Sequence, residues 1–199
     1  ALEDSGVDTE RFPGRIGVFG GTGLNSYLIN HILPDSSLID TVGAWPISLS
    51  NDKDFVPTRV AYKLDLQGPA VAINTACSTS LVAAIFGAQS LLSYQSDAVI
   101  CGGCSVHLPQ NIGYEYHHGG ILSPDGRCRP FDKDAQGTFD ANGAAVVVLR
   151  RLEDALNDGD RIYSVISGFG LNNDGALKAG FTAPSVEGQS EVIQDALEM

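Results

Sequence analysis

Apolar residues in this chain fall in short blocks separated by glycine, proline and polar turns. RIGVFGG, residues 15–21, is an apolar run entering a glycine turn and predicts a buried strand. TGLNSYLINHIL, from Thr22, has mixed helical spacing. Residues 34–53 hold Pro, Ser, Asn and Asp and read mainly as loop. DFVPTRVAYKLDLQG predicts a helix with Pro57 near its start and Gly68 beyond its end, touching the core through Val60, Tyr62 and Leu64. AVAIN, residues 70–74, is a short internal strand. The strongest helix spans 79–93, where Leu81, Ala84, Ile85, Ala88, Leu91 and Leu92 recur at helical spacing. Small residues on its other faces permit burial nearly all round.

DAVICGG then adds another apolar strand, so this stretch is a strand–helix–strand unit of a layered α/β fold. Residues 107–142 read as a long ordered loop. AAVVVLRRLEDAL predicts a strand followed by a short helix, RIYSVISGFG a further strand, and NNDG a tight turn. A last helix begins near Pro184 or Ser185. ALEDSG resembles the final turn of a helix begun upstream, and PSVEGQSEVIQDALEM a helix without a terminator. Both ends read as those of a fragment.

Charge and cysteine content narrow the function. The 199 residues carry 24 Asp and Glu against 12 Lys and Arg, a net charge of -12, which argues against general nucleic-acid binding. Arg127, Arg129 and Lys133 remain as local docking points. Charged or turn residues interrupt every apolar stretch before membrane-spanning length, and no signal peptide is visible. The expectation is a cytoplasmic protein with neither nucleic-acid nor membrane partners. Cys77, Cys101, Cys104 and Cys128 form no disulfide framework, which suits a reducing compartment. The CxxC spacing of Cys101 and Cys104 admits redox, metal or packing readings. Its apolar strand context and the lack of a second CxxC favour packing, so no metal site is expected.

Cys77 is the chief chemical candidate. In VAINTACSTSLVAAIFGAQSLL, Asn74-Thr75-Ala76 links the strand to the thiol, and a long helix follows at once. Helix N–H groups and the helix dipole can stabilise a thiolate there. Ser78, Thr79 and Ser80 are candidate helix caps. A buried structural cysteine is the alternative, since sequence gives no exposure. GGTG at 20–23 invites a nucleotide-loop reading, yet it lacks the third glycine of a dinucleotide fingerprint and the Lys–Ser/Thr of a phosphate loop. Close strand–helix packing is the better account.

The remaining candidates are weaker. His107, His117 and His118 are possible partners of Cys77, whereas His31 belongs to a helix edge. In ILSPDGRCRPFDKDAQGTFDANGAA, Arg127 and Arg129 are placed to pair with Asp132 and Asp134, and Phe131 and Phe139 to anchor the loop in the core. A loop lining an acyl entrance is the functional alternative. Phe131, Phe139 and Phe169 are possible walls of a substrate tunnel, with core packing as the equal alternative. Cys128, between two arginines, reads as loop packing. Asn173-Asp174-Gly175 is a turn bordering a cleft.

RIGVFGG, NTACSTSLVA, GGILSPDGRCRPFD, VVVLRRLEDALNDGDRI, SGFGLNNDG and FTAPSVEGQ occur in this order over nearly the whole chain. The set resembles the ketosynthase (β-ketoacyl synthase) domain of modular polyketide synthases, specifically its N-terminal portion only. The resemblance implies a thiolase-like layered α/β fold, a mixed five-stranded β-sheet flanked by helices, here truncated. Residues 1–199 would be a partial domain, mainly the N-terminal thiolase-like half. It implies an acyltransferase-type condensing enzyme in polyketide or fatty-acid biosynthesis, with Cys77 as the acyl-accepting nucleophile and its backbone N–H in an oxyanion hole. A malonyl-type extender then loses carbon dioxide and yields a β-ketoacyl-carrier-protein product.

The same resemblance implies no intrinsically bound cofactor, since substrates ride on the phosphopantetheine of an acyl carrier protein. Partners would be that carrier, a neighbouring acyltransferase and other polyketide synthase domains. The parent domain would be a homodimer, with AVAIN helping to form the interface. The HGTGT-like and NxGH-like segments that carry the family's two catalytic histidines do not occur here, so the isolated fragment is expected to be incomplete for condensation. Cys77 stands where decarboxylating loading synthases carry Gln, which implies extension. DANG at 140–143 departs from the usual RGEG or RGNG, with Asp140 for Arg and Ala141 for Gly. A noncatalytic acyl-holding or interaction domain, and a coenzyme-A-dependent thiolase-like acyltransferase, are the alternatives.

Overall fold

The computed structural model describes residues 1–110, 112–176 and 178–199. Its centre is a four-stranded sheet in the order β2-β1-β3-β4, built from β1 (Ile16–Thr22), β2 (Ala70–Ala72), β3 (Ala98–Ser105) and β4 (Gly143–Leu149). β1 runs parallel to β2 and β3, and β4 is antiparallel to β3, so the sheet is mixed. Among the described residues it has four strands, one fewer than the resemblance implied.

Alternation along the two central strands creates two cores. On one face Phe19, Val99 and Cys101 pack with Val82, Ala83 and Leu91 of α5 (Thr79–Leu92). On the other, Ile16, Val18, Ala98 and Ile100 pack with Ala61 of α4 (Val56–Leu64) and with Leu66. Because both faces of β1 and β3 are covered, both strands read as continuous apolar runs. Close approach of α5 requires Gly87, since a Cβ there would lie 2.3 Å from Cys101 Sγ. The near all-round burial that its small residues permit is not reached: Leu81 and Leu92, from its apolar series, are exposed, as is Phe86. In α4, Tyr62 and Leu64 also face outward, and Pro57 and Ala61 make the buried contact.

Two other expectations are corrected. Residues 34–53 contain α2 (Ser36–Val42) and α3 (Ala44–Asn51) rather than loop. The polar residues that suggest loop act as helix boundaries. Asp35 accepts a hydrogen bond from Leu38 N at 3.1 Å, and Gly43, at φ 91°, separates the helices. Residues 161–170 form no strand among the described residues, and Ile162, Val165 and Ile166 are exposed. A strand needs a hydrogen-bonded neighbour, and this segment lies instead beside α7 (Val186–Glu198). Cβ atoms on Gly168 and Gly170 would meet the carbonyl oxygens of Ala196 and Val192. The short terminal helix α1 (Leu2–Ser5) ends at Gly6.

Arg151 ties three elements together just before α6 (Leu152–Asp158). Its Nη1 donates to the carbonyls of Leu91 and Ser96 at 2.9 and 2.7 Å, Nη2 to Asp97 at 2.8 Å and Nε to Asp154 at 2.6 Å. The guanidinium also lies 4.5 Å from the Tyr94 ring centroid. The Arg15 backbone N–H and then Arg151 hold the Asp97 carboxyl below the usual range. A depressed carboxyl contributes stability that is present above its unfolded pKa and lost as pH falls through the folded one. Arg151→Ala should cost about 2 kcal/mol, between the exposed and buried limits for ion pairs. Urea unfolding checks this, and the variant should also lose less stability than the parent below about pH 4.

Candidate active site

The parallel strands deliver Cys77 to a strand-to-helix turn. Ile73, just after β2, donates its N–H to Gly20 O at 2.9 Å. The chain then turns through Asn74, Thr75 and Ala76 into a single 3-10 turn, Ala76–Ser78, which leads into α5. Cys77 sits in that turn, and it is free and exposed. Ala76, directly before it, has φ 54°, a left-handed conformation that costs a non-glycine residue about 1–3 kcal/mol.

Hydroxyl groups brace this turn. Thr79 Oγ1 accepts from Thr75 N at 3.0 Å and donates to Ala76 O at 2.8 Å. Ser78 Oγ donates to Thr75 O at 2.9 Å. The expected capping of α5 by these residues is not seen: Ser78 makes no side-chain cap bond, and Thr79 reaches back to the turn. Gly21 of the GGTG segment lies beneath it. A Cβ on Gly21 would fall 1.9 Å from Ile73 O and 2.8 Å from Thr79 Cγ2. Gly21 therefore serves close strand–helix packing, whereas a Cβ on Gly20 would meet the Gly102 backbone of β3 and one on Gly23 would meet Ser105.

Among the described residues the other candidates make their hydrogen bonds elsewhere than with the thiol. His107 Nε2 is 3.0 Å from Ser105 Oγ, and its backbone N–H donates to Asn142 Oδ1 at 2.6 Å. Asn142, in the DANG segment, thus ties the loop to the end of β3. His31, His117 and His118 are exposed, and the described residues show no hydrogen bond between Cys77 and a histidine. In the SPDG loop, Arg129 pairs with Asp125 in two contacts of 3.2 and 2.7 Å rather than with Asp132 or Asp134. Arg129 and then Ser123 hold the Asp125 carboxyl far below its usual range. Tyr114 donates to Ser123 O, closing the loop on itself.

Phe131 and Phe139 do not anchor that loop. Phe131 is fully exposed at 108%, and Phe139 is exposed, while Phe169 is half-buried. The Asn173-Asp174-Gly175 turn braces α7, because Asp174 Oδ2 accepts from Ser185 N at 3.3 Å. A cavity of about 400 Å³, lined by Leu24, Leu28, Ile29, Leu33, Ile39 and Ile47, lies within the α2–α3 region, and Cys77 is not among its lining residues. Among the described residues no three His, Cys, Asp or Glu side chains are grouped to hold a metal ion. No described helix is long and apolar enough to cross a membrane.

The four thiols divide by environment. Cys101 is 1% exposed, and burial pushes its thiol up to about 12. Cys104, three residues along β3, is half-buried and points to the opposite face, so the pair cannot act as a dithiol. Cys128 is exposed. Iodoacetamide at about pH 8 should therefore alkylate Cys77 and Cys128 and leave Cys101 untouched until unfolding. Peptide mapping by mass spectrometry reads this out, and a Cys101 adduct in the folded protein would contradict the packing.

Comparison with known proteins decides the family. Residues 1–155 match the sequence model of "Beta-ketoacyl synthase, N-terminal domain". The chain belongs to the β-ketoacyl synthase family. Residues 163–199 match the model of "Beta-ketoacyl synthase, C-terminal domain". That match corrects the expectation of an N-terminal portion only, since sequence of the second domain follows the first.

A phenolphthiocerol/phthiocerol polyketide synthase polypeptide of Mycobacterium tuberculosis is 42% identical over 202 residues, covering 98% of this chain and 14% of that protein. Polyketide synthase PksN of Bacillus subtilis is 38% identical, over 100% of this chain and 4% of that one. Ketosynthase twelve of the bacillaene polyketide synthase from Bacillus amyloliquefaciens superposes with a TM-score of 0.88 at 38% identity, over 100% of this chain and 34% of that chain. The oxazolomycin ketosynthase domain OzmH KS7 of Streptomyces albus gives 0.81 at 30% identity, over 99% of this chain and 34% of that one. The fold is therefore the thiolase-like α/β arrangement with a mixed sheet flanked by helices. The chain spans a small part of the curated relatives and about a third of the solved ones.

Proposed function

We propose that this β-ketoacyl synthase sequence serves a condensing enzyme of polyketide assembly and that Cys77 is its acyl-accepting nucleophile. The observation that carries the proposal is the exposed thiol on a braced strand-to-helix turn within a family-matched segment. Cys77 Sγ attacks the carbonyl carbon of an acyl thioester, and the Sγ–acyl bond forms. The donor's carbon–sulfur bond breaks, and the proton of the Cys77 thiol ends on the released thiol. Covalent capture splits condensation into two easier steps. The extender half-reaction, decarboxylation of a malonyl-type thioester and attack on acyl-Cys77, falls to the whole parent enzyme.

The acyl donor in this reading is carried on the phosphopantetheine of an acyl carrier protein, and the other partners are further polyketide synthase domains. Among the described residues β2 is an edge strand paired with β1, and Val71 on it is exposed, which supports that edge as a contact between two copies of the parent domain. The test is acylation of the parent protein with an acyl N-acetylcysteamine thioester, followed by peptide mapping. An acyl mass on the Cys77 peptide supports the reading, and an adduct confined to another residue overturns it.

A further inference from the structure

We infer that Thr79 is a positioning residue for Cys77, with its hydroxyl fixing the backbone that aims the thiol. The inference rests on Cys77 as the nucleophile. Three observations meet at this side chain. Its Oγ1 bridges Thr75 N at 3.0 Å and Ala76 O at 2.8 Å, the two main-chain groups that flank the torsions leading to Cys77. Ala76 between them holds φ 54°, a conformation that persists only when its surroundings impose it. The Thr79 methyl faces a pair of glycines, since Cβ atoms on Gly21 and Gly103 would lie 2.8 and 4.0 Å from Cγ2. Those glycines are register partners on β1 and β3.

The side chain therefore has two ends with different duties. The methyl sits against the sheet, which leaves little freedom about χ1 in a β-branched residue at a helix start. With χ1 fixed, the hydroxyl is held at one place over the turn. It gives the Thr75 N–H a fixed acceptor and adds a second donor to Ala76 O, which also accepts from the Thr79 backbone N–H. Cys77 itself is exposed, so little packing around Sγ sets its direction. Its aim comes from the backbone just before it. A nucleophile displaced by a fraction of its reaction distance loses rate without losing substrate binding.

The test is carried out on the parent protein with an acyl N-acetylcysteamine thioester, reading the rate of acyl-Cys77 formation by intact mass. Thr79→Val keeps the shape and removes the hydroxyl. It should slow acylation at saturating thioester about tenfold or more, with the half-saturating concentration and the alkylation rate of Cys128 unchanged. Thr79→Ser restores the hydroxyl and should recover most of the rate. If Thr79→Val does not fold, Thr79→Ala against Thr79→Ser isolates the hydroxyl, because both lack the methyl. Wild-type acylation in Thr79→Val, or equal rates in the Ala and Ser variants, overturns the positioning role. Cys77→Ala, run alongside, separates the two readings. An acyl adduct that survives in Cys77→Ala removes the nucleophile assignment, whereas its loss there with an unaffected Thr79→Val removes only the role of Thr79.

Discussion

Cys77→Ala is expected to lower acyl transfer to the enzyme by a factor of about 10³ or more, the scale on which loss of a covalent nucleophile is felt. The protein should stay folded, because the side chain is exposed and lies outside both cores. Surface substitutions of this kind shift stability by about 0.5 kcal/mol or less. The loss therefore reads as chemistry. Cys77→Ser keeps the size of the side chain but offers a far less ionised nucleophile, so a slow oxygen ester is expected in place of the thioester. Hydroxylamine sensitivity and mass increment distinguish the two. Cys128 supplies an internal control, because it is also exposed and lies in the turn-rich loop rather than on a strand-to-helix turn. Equal acylation of the Cys77→Ala variant and the parent would show that the acyl group is carried by another residue, and peptide mapping of that adduct would test whether Cys128 is that residue.

The reactive position is legible in the sequence because it needs only local signals: a short apolar strand, a turn of small residues, and a helix with apolar periodicity. The bracing of that turn is not. Thr79 reads as a helix cap, since Ser and Thr at a helix start usually cap it, whereas its hydroxyl turns back to Thr75 and Ala76. That choice depends on the glycine pair under its methyl, which lies 58 and 24 residues away along the chain. Residues 34–53 read as loop because Asp35 and Gly43 are as suitable for loops as for capping and breaking helices. Residues 161–170 have the composition of a strand, but among the described residues they lie beside α7 without a ladder partner. Strand propensity reports what a segment tolerates, and pairing is decided elsewhere. Hydrophobicity alone points Phe131 and Phe139 to the core, yet they stand exposed on a loop closed by the Asp125, Arg129 and Ser123 contacts.

Gly21→Ala tests the link between the sheet and the turn. A Cβ on Gly21 would lie 1.9 Å from Ile73 O and 3.0 Å from Ile73 C. Both are main-chain atoms, so no side-chain rotation relieves the clash. The Thr79 methyl, 2.8 Å away, blocks the other direction. β1 is held by β3 on its far side, in register from Ile16 to Thr22, and cannot retreat as a unit. The strain must fall on the segment that carries Ile73 into the Cys77 turn. The expected cost is about 3 kcal/mol or more, the upper end for overpacking. For a domain of this size that lowers the thermal midpoint by about 6–12 °C. Below that midpoint the folded variant should also acylate Cys77 more slowly than the parent, because the displaced carbonyl moves Asn74 to Ala76 with it. Calorimetry and the acylation rate measured on one preparation check both parts. A destabilised variant with the parent's acylation rate would show that the turn keeps its shape independently of β1, and would place its rigidity wholly in the Thr75, Ser78 and Thr79 hydrogen bonds.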